Sequence, residues 1–260
     1  MTIDKLLTNS TACLTPEVSS EVFDDSYGGR FWIGQVAVQD VVKCPEYYNG
    51  ALKLRANVYI DDMHFLTPEH RDENGHETDS DDRSSIHFAI AEKMPYGESA
   101  RIVGTSRLIR KEDMDEKLPV ERIFPEAFVN DPAEVNSVEV SRFISRHEKK
   151  STQHMISLSL IRAMTLYAVD NEIPSAYFLI EEPLHRLLAR IGLPMEILCD
   201  PKKVAEYGNT SNMVIRIKPK EIVDSCAEKG NEDLPISRFF KNENGNLGLG
   251  LYPEGLVRSR

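Results

Sequence analysis

The sequence predicts a mixed α/β fold, a central sheet with parallel and antiparallel strands and helices on both faces. Two observations carry this. Strand patterns at 86–91, 101–109 and 137–145 follow one another before any strand-linked helix, which points to a mixed sheet and not a doubly wound parallel one. Beyond them, helical patterns at 151–171 and 183–191 alternate with strands at 175–181 and 195–199, the order of crossover connections.

Taken in order, residues 1–29 are polar and slightly acidic and read as an extended or partly disordered arm. Residues 31–42 (FWIGQVAVQDVV) alternate well enough for a first strand. At 47–63, Leu52, Arg55, Tyr59 and Met63 lie about one turn apart, a helix. The run 67–85 is polar and acidic, hence a loop. Pro95, Tyr96 and Gly97 signal a turn between the next two strands, and the prolines of 111–132 predict an irregular connection. The helix at 151–171 is apolar nearly all round, at Ile156, Leu160, Ile161, Met164 and Tyr167, so it must be packed on a sheet and covered. The helix at 183–191 has sharp ends. Pro183 suits its first turn, Leu184, Leu187, Leu188 and Ile191 repeat at helical spacing, and Gly192 suits a left-handed cap. A last strand follows at 212–217. There are no internal repeats. The expected organisation is an arm over 1–29, one domain over 30–220 and a tail or extension over 221–260.

Composition narrows the function. The chain has 260 residues, is 41% hydrophobic and carries a net charge of −11. That charge argues against nucleic acid as a partner, since phosphate contacts need clustered Lys and Arg. An acidic partner must dock on a local basic patch. Cys13, Cys44, Cys199 and Cys226 share no short spacing, which fits a reducing compartment and a cytoplasmic location. Neither a signal peptide nor an apolar run of membrane-spanning length is recognisable. The seven histidines lack metal-ligand spacing, so no metal is expected. Gly245, Gly248 and Gly250 mimic a nucleotide loop but open no helix.

Five motifs in order carry the functional signal. Leu54-Arg55 is followed by Tyr59 and Phe65. Glu77, Asp79 and Asp82 form E-x-D-x-x-D, and 104–108 read GTSRL. Residues 139–143 read EVSRF, and 185–192 read HRLLARIG. This set resembles acyl-homoserine-lactone synthases, a branch of the GNAT acyltransferases. The step from Asp82 through Ser85 to His87 resembles still more closely the N-acyl-amino-acid synthases and exosortase-associated acyltransferases. Two departures from the lactone synthases stand out: Tyr59 replaces a phenylalanine and Phe65 a tryptophan. The resemblance implies a GNAT-like fold and transfer of a fatty acyl group from acyl-carrier protein or coenzyme A to an amine, with no bound cofactor. The expected partners are a carrier protein and a small amine. One rival is lactone synthesis from S-adenosylmethionine. Another is a non-catalytic module that binds lipid or carrier protein.

The chemistry can be assigned to residues. An amine attacking a thioester must lose a proton, so a base must be near. Glu139, in an otherwise apolar strand, is the candidate, because desolvation raises a carboxylate's pKa. It also reads as the partner of a buried arginine. Arg55, Asp79, Asp82, Arg107 and Arg142 read as a charge cluster shaping the acceptor pocket, or as a purely structural lattice. For Asp79 and Asp82 a solvated acidic loop is the further alternative. Strand alternation sets Glu139 and Arg142 on opposite faces unless a bulge intervenes; the resemblance implies one. Tyr59, Phe65 and Phe143 are expected to line an acyl or aromatic pocket. The stretch 145–151 lacks the glycine loop of acetyl-coenzyme A users. It offers Arg146, Lys149 and Lys150 for donor docking, unless these are ordinary surface residues of a turn.

Overall fold

The structure is a computed structural model. It describes residues 45–92, 100–205 and 210–227, together with Ile236, Phe240 and the strand backbones Glu21–Asp24 and Arg30–Ala37. The expected turn at Pro95, Tyr96 and Gly97, residues 38–42 of the first expected strand, Cys13, Cys44, the three tail glycines and most of the arm and tail lie outside these residues.

The described strands are β1 (Glu21–Asp24), β2 (Arg30–Ala37), β3 (Ser85–Glu92), β4 (Arg101–Arg110), β5 (Val138–Ser145), β6 (Ala176–Glu181), β7 (Glu196–Ile197), β8 (Lys202–Val204) and β9 (Thr210–Ile217). The helices are α1 (Pro45–Ala56), α2 (Pro119–Ile123), α3 (Lys150–Asp170), α4 (Glu182–Arg190) and α5 (Pro219–Ala227). The sheet runs β1-β2-β3-β4-β5-β6-β9-β7, with β8 also on β9. Every pairing is antiparallel except β5 with β6, which α3 connects as a crossover. The mixed sheet is therefore as expected. The residues read as arm contain a strand, β1, and 202–204 add the short β8. Both are too short for alternation to register. The connection 111–132 is irregular but holds α2 and two 3-10 turns, and α5 folds where a tail was read.

Alternation along the central strands sends side chains to two layers. Ile86, Phe88, Ile90, Leu108, Val138 and Val140 pack on α3 through Ile156, Leu160 and Met164. Those six side chains bury the face of the sheet that α3 covers. On the opposite face the Tyr48 ring of α1 meets the His87 ring edge-on at 4.9 Å. On that same face, further along the sheet, α2 and its flanking turns cover Ile109, Tyr177 and Val214 with Leu118, Val120 and Phe124. The stretch of sheet between α1 and α2 is where the polar residues gather. No helix among the described residues is long and apolar enough to cross a membrane.

Two irregularities shape this region. The helix begun by α1 continues as a π-helical stretch, Asn57–Asp62. This widened turn carries Tyr59, whose carbonyl accepts the Phe65 and Leu66 amides at 2.9 and 3.0 Å. The second lies in β5. Arg107 pairs with Ser141, but Thr105 pairs with Ile144, so β5 carries one extra residue. Arg142 sits in that bulge with φ 53°, a left-handed conformation unusual for a non-glycine residue.

Candidate active site

β5 and β6 pair only over Val138–Val140 and Ala176–Phe178. β5 then continues to Ser145 and β6 to Glu181 without pairing to each other, and the two strands part. A cavity of about 960 Å³ opens in the gap and extends against α3, α4 and the start of α5. Its walls are mostly apolar, among them Phe143, Leu158, Ile161, Phe178, Leu188 and Ile191. Tyr59 and Phe65 line it as well, so all three expected pocket aromatics meet there. A cleft of this size, apolar with a few polar groups, suits a large organic ligand.

Glu139 lines the same cavity. Its side chain is almost wholly buried, and its carboxylate accepts the Val120 amide at 2.7 Å. Burial pushes the carboxyl up to about 7, with the Val120 hydrogen bond only partly offsetting it. Among the described residues it forms no ion pair with an arginine. The donor amide is held in place from behind. Glu121 accepts the Leu118 amide at 2.9 Å and Lys111 Nζ at 2.8 Å, which fastens the first turn of α2.

Beside it lies the charge cluster. Arg55 clasps Asp82 with both terminal nitrogens, at 2.7 and 3.2 Å, and donates its Nε–H to Glu77. Arg107 donates to Asp79 at 2.5 and 2.8 Å, to Asp82 at 2.6 Å and to Ser141 Oγ at 2.8 Å. Arg142 donates to Glu77 at 2.8 Å and to Asp79 at 3.0 Å, with its guanidinium 5.4 Å from the Tyr59 ring centre. The acidic turn arranges itself for this. Asp79 Oδ1 accepts the amides of Asp81 and Asp82, and Asp82 Oδ2 accepts that of Asp79, so the turn's own backbone helps aim both carboxylates. Three guanidiniums face three carboxylates and the buried charge sums to zero. Burial would raise the Asp82 carboxyl, but Arg55 and Arg107 outweigh it and hold it well below the carboxylate range. Burial would likewise raise Glu77, and Arg142 and Arg55 lower it.

The bulge resolves the face problem. It lets Arg142 reach the cluster that Arg107 and Ser141 enter from Glu139's own face of the sheet. Of the three arginines, Arg142 is the one that also lines the cavity.

Sequence reasoning quoted Glu77 as part of a motif but left it out of the cluster, although it is fully buried between Arg55 and Arg142. Charge balance could have found it, since three buried arginines demand three carboxylates. His87, read from the sequence only as the end of the Asp82–Ser85–His87 step, also belongs beside the cluster. Its ring is buried without a hydrogen-bond partner, 3.7 Å from Asp82, and burial lowers its pKa to about 4 despite that carboxylate.

The donor-docking residues sit together at the start of α3. Arg146 lines the cavity and is exposed, but it is ion-paired with Asp62. Lys150 is exposed and Lys149 half-buried, and neither lines the cavity. Gln153 and Ser157 follow on α3 and bond to Ser145, tying the helix start to the end of β5.

The sequence profile of the autoinducer synthases matches residues 48–218. The chain belongs to the autoinducer synthase family. It is an acyltransferase, and the reading as a non-catalytic binding module loses its support. Solved structures similar to it include the acyl-homoserine lactone synthase LasI, at 18% identity and TM-score 0.55 over 74% of this chain and 90% of that one. The CoA-dependent synthase BjaI, solved with SAM and isopentyl-CoA, has 16% identity and TM-score 0.59 over 80% and 88%. FeeM, an N-acyl amino acid synthase from uncultured soil microbes, has 17% identity and TM-score 0.52 over 75% and 94%. These likenesses show that the chain shares the fold of these synthases, a mixed sheet flanked by helices as expected. No curated protein sequence matches the chain.

Proposed function

We propose that this acyltransferase moves a fatty acyl group from a carrier-protein or coenzyme A thioester to the amine of an amino acid or related metabolite. The observation that carries the reading is Glu139, a buried carboxyl poised near neutrality on the wall of a large apolar cavity. The amine nitrogen attacks the thioester carbonyl carbon and forms the C–N bond while Glu139 takes its proton. The oxyanion then collapses, the C–S bond breaks, and the departing thiolate takes up the proton that Glu139 holds, which restores the carboxylate. Beyond Val140, β5 presents to the gap an edge that no longer pairs with β6. Backbone donors on such an edge are suited to an oxyanion. Arg142, the cluster member at the cavity, is placed for the polar end of the acceptor.

Tyr59 and Phe65, which depart from the lactone-synthase pattern, both line the cavity. That favours an amino acid over S-adenosylmethionine as acceptor. Carrier protein is favoured as donor because 145–151 has no glycine loop for a pyrophosphate and carries Lys149 and Lys150 close in the chain to Arg146, which lines the cavity. Incubation with octanoyl-carrier protein plus either pooled amino acids or S-adenosylmethionine, with products weighed by mass spectrometry, tests this. An N-octanoyl amino acid is the expected product. Octanoyl-homoserine lactone instead would overturn the acceptor, and no acylated product from any donor would overturn the whole reading.

A further inference from the structure

We infer that α5 sets the length of acyl chain this enzyme accepts, through Ile222. The family match ends at residue 218, and α5 begins at Pro219. This helix therefore lies beyond the matched part of the chain, yet Pro219 and Ile222 line the cavity. They follow Ile217, which pairs with Ala176 where β5 and β6 are still joined, whereas Arg142 lies past the point where the two strands part. Ile217, at the end of β9, adjoins them, and Ile161 of α3 and Leu188 of α4 belong to the same apolar cluster.

The helix is built as a wall. Pro219, Ile222 and Cys226 recur at i, i+3 and i+7, and all three are buried, while Lys220, Glu221 and Asp224 are exposed. Cys226, Ile236 and Phe240 are buried in the cluster that contains Ile222, so the apolar face of the helix is fixed in a packed core. A chain threaded from the thioester end meets this face once the cavity is filled. Each methylene that finds apolar wall is worth roughly fourfold in binding, and one that collides is rejected more steeply, because a packed wall yields little. Side-chain size at 222 then decides where acceptance stops.

The inference rests on the acyl-donor reading above, and its test separates the two. The full-length enzyme is offered an equimolar mixture of acyl thioesters from hexanoyl to palmitoyl, and the acyl distribution of the products is weighed. Ile222→Phe should move the preferred chain to a shorter one, with kcat/KM for the original chain falling roughly tenfold or more. Ile222→Val, a conservative change that keeps the fold, should move the distribution the other way. Asp224→Ala, on the exposed face, should leave it unchanged. Opposite shifts from the two Ile222 variants, with the conservative one melting near wild type, support the inference. An unchanged distribution in both, while wild type transfers acyl groups, overturns it and leaves the donor reading standing. If wild type transfers none, the donor reading fails, and this inference fails with it.

Discussion

Glu139 sits in surroundings that disfavour its charge, and this has consequences on both sides of neutrality. Its pKa is raised to about 7 from an ordinary 4.5. Between those values the folded chain holds a proton that the unfolded chain releases. Stability contributed by this group therefore falls as pH rises across that window and levels off above it. Glu139→Gln has no proton to release, so its melting temperature should gain on wild type between about pH 5 and about pH 8. Its turnover should drop roughly 10²-fold, the usual worth of a general base. Wild-type turnover should rise with pH through about 7 as the base ionises. A variant with wild-type turnover across that range would remove Glu139 from the chemistry. The arginines behave differently. Arg107 is nearly solvent-free between two carboxylates, and Arg107→Ala leaves three carboxylates facing two guanidiniums, at a cost of about 3–5 kcal/mol. Arg142 is 13% exposed at the cavity, so Arg142→Ala should melt closer to wild type and lose more activity. Urea unfolding beside steady-state rates distinguishes them, and the reverse ranking would show that Arg142 is the structural member.

At the scale of elements, the site depends on how closely α3 lies on the sheet. Gly104 of β4 makes this possible. A Cβ there would stand 2.5 Å from Ile156 Cγ2 and 3.4 Å from both Ile90 and Leu160. The Ile156 methyl is on a β-branched side chain inside a packed helix and cannot swing away. Gly104→Ala should therefore destabilise by about 1–3 kcal/mol through overpacking. It should also weaken catalysis, because α3 carries Gln153 and Ser157 against the end of β5. An unchanged denaturation midpoint would mean that α3 can lift off β4 freely. The bulge in β5 is the other device at this scale. Neither it nor the π-helical turn at Tyr59 leaves a periodic trace, since each is a one-residue irregularity that tertiary contacts hold in place.

For the molecule as a whole, the question is how a chain of net charge −11 meets an acidic carrier. Arg146 is paired with Asp62, and Lys149 and Lys150 stand beside it at the start of α3. Lys149→Glu with Lys150→Glu should raise the KM for acyl-carrier protein and spare a short pantetheine thioester. The wild-type preference for carrier protein should shrink as the screening length falls from about 10 Å at 0.1 M salt to about 3 Å at 1 M. Equal losses with both donors would place the lysines in the fold of the site and not on a docking surface.

The sequence by itself determined the mixed sheet, the long covered helix, the capped helix after Pro183 and five of the six residues of the charge cluster. Each depends on local periodicity, on a turn or cap residue, or on a short motif. The partial register of β5 on β6, the reach of Arg142 through its bulge, the burial of Glu77 and the closing of the cavity by α5 were decided only in three dimensions. Those features join residues 65 apart in the case of Glu77 and Arg142. They depend on which strand edges part and which charges must cancel once water is excluded, and no stretch of sequence records either condition locally.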